Sequence, residues 1–269
     1  MPELPEVETT RRGISPHILG RKVTRVLVRQ PQLRWPVSPE LSQVLTGQTI
    51  ESIDRRGKYL LLGTVSGRVM IHLGMSGSLR IATPQSSLRK HDHIDFCFDD
   101  CILRFHDPRR FGSVFWLPGD SGHELIDFLG PEPLNDEFSG EYLYLQSRSR
   151  KTAVKTFIMN SRVVVGVGNI YANEALYLSG IRPDRAAGRI SADRHGVLAT
   201  NIKAVLEQAI ESGGTTLRDF VREDGSPGYF RQALRVYGRG GEPCPACGRL
   251  LKESRLGNRS TVYCRHCQR

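Results

Sequence analysis

Two cysteine pairs, CPAC at 244–247 and CRHC at 264–267, constrain the end of this chain more than any other feature. The 16 residues between them are enough for a hairpin that returns the second pair to the first. Each C-x2-C forms a tight knuckle. Four thiolates, Cys244, Cys247, Cys264 and Cys267, then close a tetrahedral shell with no open position, which predicts one structural zinc ion rather than a catalytic one. His266 lies inside a complete C-x2-C and is set aside as a ligand. A redox dithiol is the competing reading, and two such pairs in one small basic module speak against it. Between the pairs, Gly257-Asn258 signals a hairpin turn and places Arg259 near its tip.

The charge balance suggests what such a module serves. The 269 residues carry 38 Lys and Arg against 28 Asp and Glu, a net charge of +10. An excess of this size on an otherwise ordinary globular composition favours a polyanionic partner, with nucleic acid the commonest. No apolar run approaches the length of a membrane span and the acidic start is unlike a signal peptide, so a cytoplasmic protein with reduced thiols is expected. Cys97 and Cys101, far from the cluster, are expected to pack as small apolar residues.

The chain opens MPELPEVETT. Pro5 suits a first helical position and acids suit a first turn, so a helix is predicted from Pro5 to Gly13, closed by Arg11, Arg12 and Gly13. Glu6 and Glu8 read as helix-start acids. Pro2 lies outside that helix and is left without a structural role.

Short β-branched and aromatic runs follow at 22–30, 58–65, 67–75, 93–100, 101–107 and 112–118, punctuated by Gly, Asp and Pro. Strands at this spacing predict a sandwich or barrel. GPEPLNDEFSG (130–140) reads as a connector. Beyond it, EYLYLQSRSRK, KTFIMNSRVV, NIYANEALYLSG and ISADRHGVLATNIKAVLEQAIESGG carry helical periodicity with stops at Gly180, Gly213 and Gly214; residues 215–230 start helical and end as a loop. The expected fold is an α+β multidomain chain: residues 1–130, a linker at 131–140, a helical domain at 141–235 and a zinc hairpin at 236–269.

PELPEVET, HLGMSGSLR (72–80), KHDH (90–93), DPRRFG (107–112), VGVGNIYANEAL (165–176), GGTT (213–216), DGSPGYF (224–230) and VYGRGGEPCPACG (236–248) together resemble the bacterial formamidopyrimidine-DNA glycosylase family. The resemblance implies an N-terminal β-sandwich with an initial helix, a helix-two-turn-helix domain and a C-terminal zinc hairpin, acting as a monomer on damaged double-stranded DNA held in a basic cleft between the domains. It implies excision of oxidised purines, chiefly 8-oxoguanine and formamidopyrimidines, and strand cleavage by β,δ-elimination.

It also gives the residues roles. Pro2, exposed as a secondary amine once Met1 is removed, becomes the nucleophile that forms a Schiff base at C1′. An α-amino group titrates near pH 8, so about a tenth is neutral at pH 7. Glu3 becomes the general acid or base, with Glu6 in support. Lys58, which pattern alone reads as an edge lysine, approaches the lesion and its phosphate, and Arg259 contacts phosphate and aids the second elimination. Asn169, at a predicted helix start, binds phosphate, as a helix N-terminus would favour. Met75, Arg109 and Phe111 fill the void left by the flipped base, and His91, Arg150 and Lys151 contact the backbone. DGSPGYF covers the flipped base. Two alternatives stand beside this reading: an endonuclease VIII-like enzyme for oxidised pyrimidines, and a zinc-ribbon DNA-binding protein without catalysis.

Overall fold

The structure, a computed structural model, describes residues 2–213 and 234–269. The helix α1 expected at 5–13 runs from Leu4 to Ile18. It continues through Gly13 because Leu4, Val7, Ile14 and Ile18 form one buried stripe at helical spacing. Glu6 caps its start, accepting the Glu3 N–H at 2.7 Å. Glu8 is no simple first-turn acid. It is buried and bonded to Arg11 and Arg12 at 2.8 Å and to Arg55 at 3.2 Å.

Residues 2–127 belong to one compact unit. Its two four-stranded sheets are antiparallel throughout. One has the order β1-β6-β7-β5, from Arg25–Val28, Asp92–Cys97, Ile102–His106 and Ser78–Ala82. The other has the order β2-β3-β4-β8, from Ser52–Arg56, Tyr59–Thr64, Gly67–His72 and Ser113–Pro118. Phe96, Leu103 and Phe105 of the first sheet, Leu60, Leu62 and Ile71 of the second, and Val7, Ile14 and Ile18 of α1 share one core. This is the expected sandwich. Strands β2 and β5 have no counterpart among the sequence runs. Ile53 is the one buried residue of SIDRR, so β2 carries almost no hydrophobic pattern. Two short helices, α2 (Leu41–Leu45) and α3 (Glu124–Asp127), are its other elements among the described residues.

The second unit contains 128–211 and the residues from 234 onward. It holds α4 (Gly140–Ser147), α5 (Val154–Ile158), α6 (Asn169–Leu178) and α7 (Ala192–Glu211), then the hairpin β9 (Lys252–Leu256) and β10 (Arg259–Tyr263). Gly180 (φ +62°) and Gly213 (φ +79°) follow the ends of α6 and α7 in the left-handed conformation expected of stops. The hairpin clusters with the helices rather than standing alone: Tyr177 of α6 packs with Val236, Leu251, Val262 and the cysteines. Gly214, the region 215–230 and the DGSPGYF segment lie outside the described residues. No helix among the described residues is long and apolar enough to cross a membrane.

Candidate active site and nucleic-acid interface

Chain ends normally fray. Here Pro2 and Glu3 are both buried, and Glu3 is only 2% exposed. The Glu6 cap and the buried Leu4 and Val7 hold this end of α1 against the core.

In the same unit, Lys58 occupies the tight turn between β2 and β3 rather than beginning a strand. Gly57 (φ +57°) turns the chain, and Arg56 pairs with Tyr59 directly behind it. His72, at the end of β4, stacks on Tyr59 with centroids 4.8 Å apart. Burial, together with the charges of Lys58 and Arg34, lowers its pKa to about 4. It is therefore neutral at physiological pH, and its Nδ1 accepts the Gly74 N–H at 3.1 Å.

Three turns carry the other candidates of this unit. Met75 is half-buried in the turn after β4. His91 (φ +74°) precedes β6 and sits edge-on to His93 and His106. Arg109 and Phe111 are exposed between β7 and β8, with the guanidinium 4.8 Å from the centre of the Phe111 ring. An Arg–aromatic pair stacked at that distance is a favourable arrangement.

In the second unit, Asn169 opens α6 behind Gly166 (φ +81°). Its Oδ1 is buried with no hydrogen-bond partner among the described residues. Arg150 and Lys151 are exposed just before α5. Arg259 is exposed as the first residue of β10, behind Gly257 and Asn258 with φ of +53° and +59°. Arg150 and Arg259 line one cavity of about 340 Å³ with residues of α5.

The sulfurs of Cys244, Cys247, Cys264 and Cys267 lie within 4.8 Å of one another. The Cys244–Cys267 and Cys247–Cys264 separations are 3.9 and 3.5 Å. A tetrahedral zinc with Zn–S bonds of about 2.3 Å requires sulfurs about 3.8 Å apart, so the set fits. Burial raises the Cys244 pKa, but hydrogen bonds from the Tyr177 hydroxyl and the N–H groups of Ala246 and Cys247 outweigh it and bring it down to about 6.

Residues 1–114 match the formamidopyrimidine-DNA glycosylase N-terminal domain, 129–221 the formamidopyrimidine-DNA glycosylase H2TH domain, and 241–269 the zinc finger found in FPG and IleRS. The chain belongs to the formamidopyrimidine-DNA glycosylase family. Its relatives include the formamidopyrimidine-DNA glycosylases of Teredinibacter turnerae, 61% identical, and Stenotrophomonas maltophilia, 57% identical, each matched over the whole of both chains. Among solved structures it resembles the family protein of Thermus thermophilus (TM-score 0.90, 36% identity, 99% of this chain and 98% of that one). It also resembles the Lactococcus lactis enzyme in complex with DNA containing an abasic site (TM-score 0.92, 32% identity, 99% of each chain). The fold expected from the sequence is the family's fold, and the cysteine cluster within its zinc-finger domain is a structural zinc site.

Two polar residues of α6 hold the hairpin and residues 235–237 in place. Asn173 of α6 accepts the Val262 N–H at 2.9 Å, and Glu174 accepts from the N–H groups of Arg235, Val236 and Tyr237 at 2.8–2.9 Å. Both lie inside the motif NIYANEAL, whose helical pattern gives no sign that these polar side chains are buried.

Proposed function

We propose that this protein is a bifunctional DNA glycosylase and abasic-site lyase that removes oxidised purines, 8-oxoguanine and formamidopyrimidines, from duplex DNA in base excision repair. The observation that carries this is the buried, capped N-terminus. It supports a Pro2 amine held in a fixed place rather than on a frayed end.

With Met1 removed, the Pro2 nitrogen attacks C1′ of the damaged nucleoside. The N–C1′ bond forms as the bond to the base breaks, and the base leaves with a proton. Glu3, next in the chain, is the group assigned to move protons around the opening sugar. The resulting iminium acidifies the C2′ proton. Its loss expels the 3′ phosphate, and a second elimination expels the 5′ phosphate. Lys58 and Arg259 are assigned to the phosphates and proton transfers of these steps. Asn169, His91, Arg150 and Lys151 are assigned to the backbone. Met75, Arg109 and Phe111 are assigned to the space left by the flipped base, where an apolar chain, a guanidinium fork and an aromatic wedge suit stacking and pairing. The basic chain acts as a monomer in the bacterial cytoplasm, and its affinity falls steeply with salt.

Borohydride trapping on a duplex with 8-oxoguanine opposite cytosine tests this reading, with an intact-mass check for methionine loss. A covalent adduct mapping to Pro2, absent in Pro2→Gly, is expected. Trapping with thymine glycol but not 8-oxoguanine would favour the oxidised-pyrimidine enzyme. No adduct from zinc-loaded protein would leave a DNA-binding protein alone.

A further inference from the structure

We propose that Asp107 is a positioning residue that locks the turns of Met75, His91, Arg109 and Phe111 into one rigid tool for opening the duplex. The proposal rests on the assignment of those four side chains to DNA given above. Asp107 is fully buried. Its Oδ1 accepts from the Ser76 hydroxyl at 2.8 Å, next to Met75, and from the N–H of Arg109 at 3.3 Å. Its Oδ2 accepts the N–H of Gly112 at 2.8 Å, next to Phe111. The same residue's backbone holds the third turn. The Asp107 N–H donates to the His91 carbonyl at 3.1 Å, and the Asp107 carbonyl accepts from His93 Nε2 at 2.8 Å.

A buried aspartate in a turn ordinarily satisfies its own neighbours. This one also reaches a turn 31 residues earlier in the chain. A charged acceptor with several donors makes stronger bonds than neutral pairs, and it fixes their directions. The close fit of the turns agrees with this. A Cβ on Gly74 would clash with the Phe111 carbonyl carbon and the Gly112 nitrogen, so the Met75 and Phe111 turns approach each other backbone to backbone. Rigidity suits the task, because a wedge that yields cannot hold two strands apart, and small displacements cost large factors in rate.

Asp107→Asn keeps the size and removes the charge. Whichever way its amide turns, one end presents N–H to a backbone N–H, of Gly112 or of Arg109. The readout is a ratio: single-turnover strand cleavage at an abasic site in duplex DNA, over cleavage of the same site in a single-stranded oligonucleotide. In a single strand there is no partner base to separate and no void to fill. The ratio is expected to fall by about tenfold or more in Asp107→Asn, and by a smaller factor in Ser76→Ala, which removes the Ser76 bonds to Asp107 and to the Arg109 N–H but leaves the Asp107 bonds to Arg109 and Gly112. Both rates falling together by one factor would mean a purely structural role and overturn the proposal, as would an unchanged ratio in a wild-type protein that cuts both substrates. A wild-type protein that cuts neither would remove the lyase reading and this proposal with it. Should Asp107→Asn fail to fold, Ser76→Ala decides by the same ratio.

Discussion

Lys155 is fully buried and donates from Nζ to the carbonyl of Ser260 and the hydroxyl of Thr261, both at 2.7 Å. Its partners follow Arg259 directly in β10. A helix residue thus sets the position of the hairpin strand that begins with the candidate phosphate ligand, and a buried ammonium has few cheaper ways to be satisfied.

Lys155→Met should therefore uncouple the hairpin from α5. The buried Thr261 hydroxyl and the part-buried Ser260 carbonyl lose their donor, which costs about 1–3 kcal/mol. Denaturant unfolding is expected to show a lower midpoint. Strand cleavage is expected to fall further than the stability loss explains, because Arg259 is displaced with its strand.

Gly74 has φ +64° and no room for a Cβ. Gly74→Ala combines left-handed strain with a backbone clash, a loss of about 2 kcal/mol or more. Excision from duplex DNA is expected to drop as well, and thermal unfolding alongside single-turnover kinetics checks both effects.

Glu8 has its carboxyl lowered to about 2: burial raises the pKa, but the hydrogen bonds of Arg11 and Arg12 and the charges of Arg11 and Arg55 outweigh it. A carboxylate whose folded pKa lies below its unfolded value contributes stability above about pH 4.5, and that contribution is lost as pH falls toward 2. The pair with Arg12 is exposed on the arginine side, so the contribution is on the order of 2 kcal/mol rather than the full value of the shift. Glu8→Gln should be less stable at pH 7 and should flatten the stability curve across that window. An unflattened curve would assign the acid sensitivity to other groups.

Zinc removal should loosen the second unit from its C-terminal end. The four thiolates hold both knuckles, and the adjoining cluster of Tyr177, Val236, Leu251 and Val262 is small. Chelation is expected to release one equivalent of zinc, read by a colorimetric indicator, with loss of strand cleavage that returns on adding zinc back. Cys247→Ser should lower zinc affinity and cleavage together.

Much of this architecture is legible in the residue order alone. The cysteine spacing specifies its own metal geometry, since a C-x2-C knuckle is a local object. Gly257-Asn258 specifies its turn because few residues tolerate positive φ at two successive positions. The sandwich was readable from β-branched runs with one or two buried faces, and it was missed at β2, where charged residues hide the single buried isoleucine. The helix end was misplaced because Arg11, Arg12 and Gly13 make a local stop signal, and the burial of Ile14 and Ile18 overrode it.

The site divides in the same way. By itself, the sequence determined which groups are present: an amine at Pro2, a carboxylate beside it, an arginine at a hairpin tip and four thiolates at fixed spacing. These are local facts of residue type and order. Tertiary structure alone decided what holds them. Asp107 reaches Ser76, Lys155 reaches Ser260, and Glu174 gathers three N–H groups some 60 residues away. Each is a buried polar group, and burial depends on how distant segments pack. A polar residue on a helical or turn pattern reads as solvent-facing until the structure encloses it, and then its hydrogen bonds must be found inside the protein.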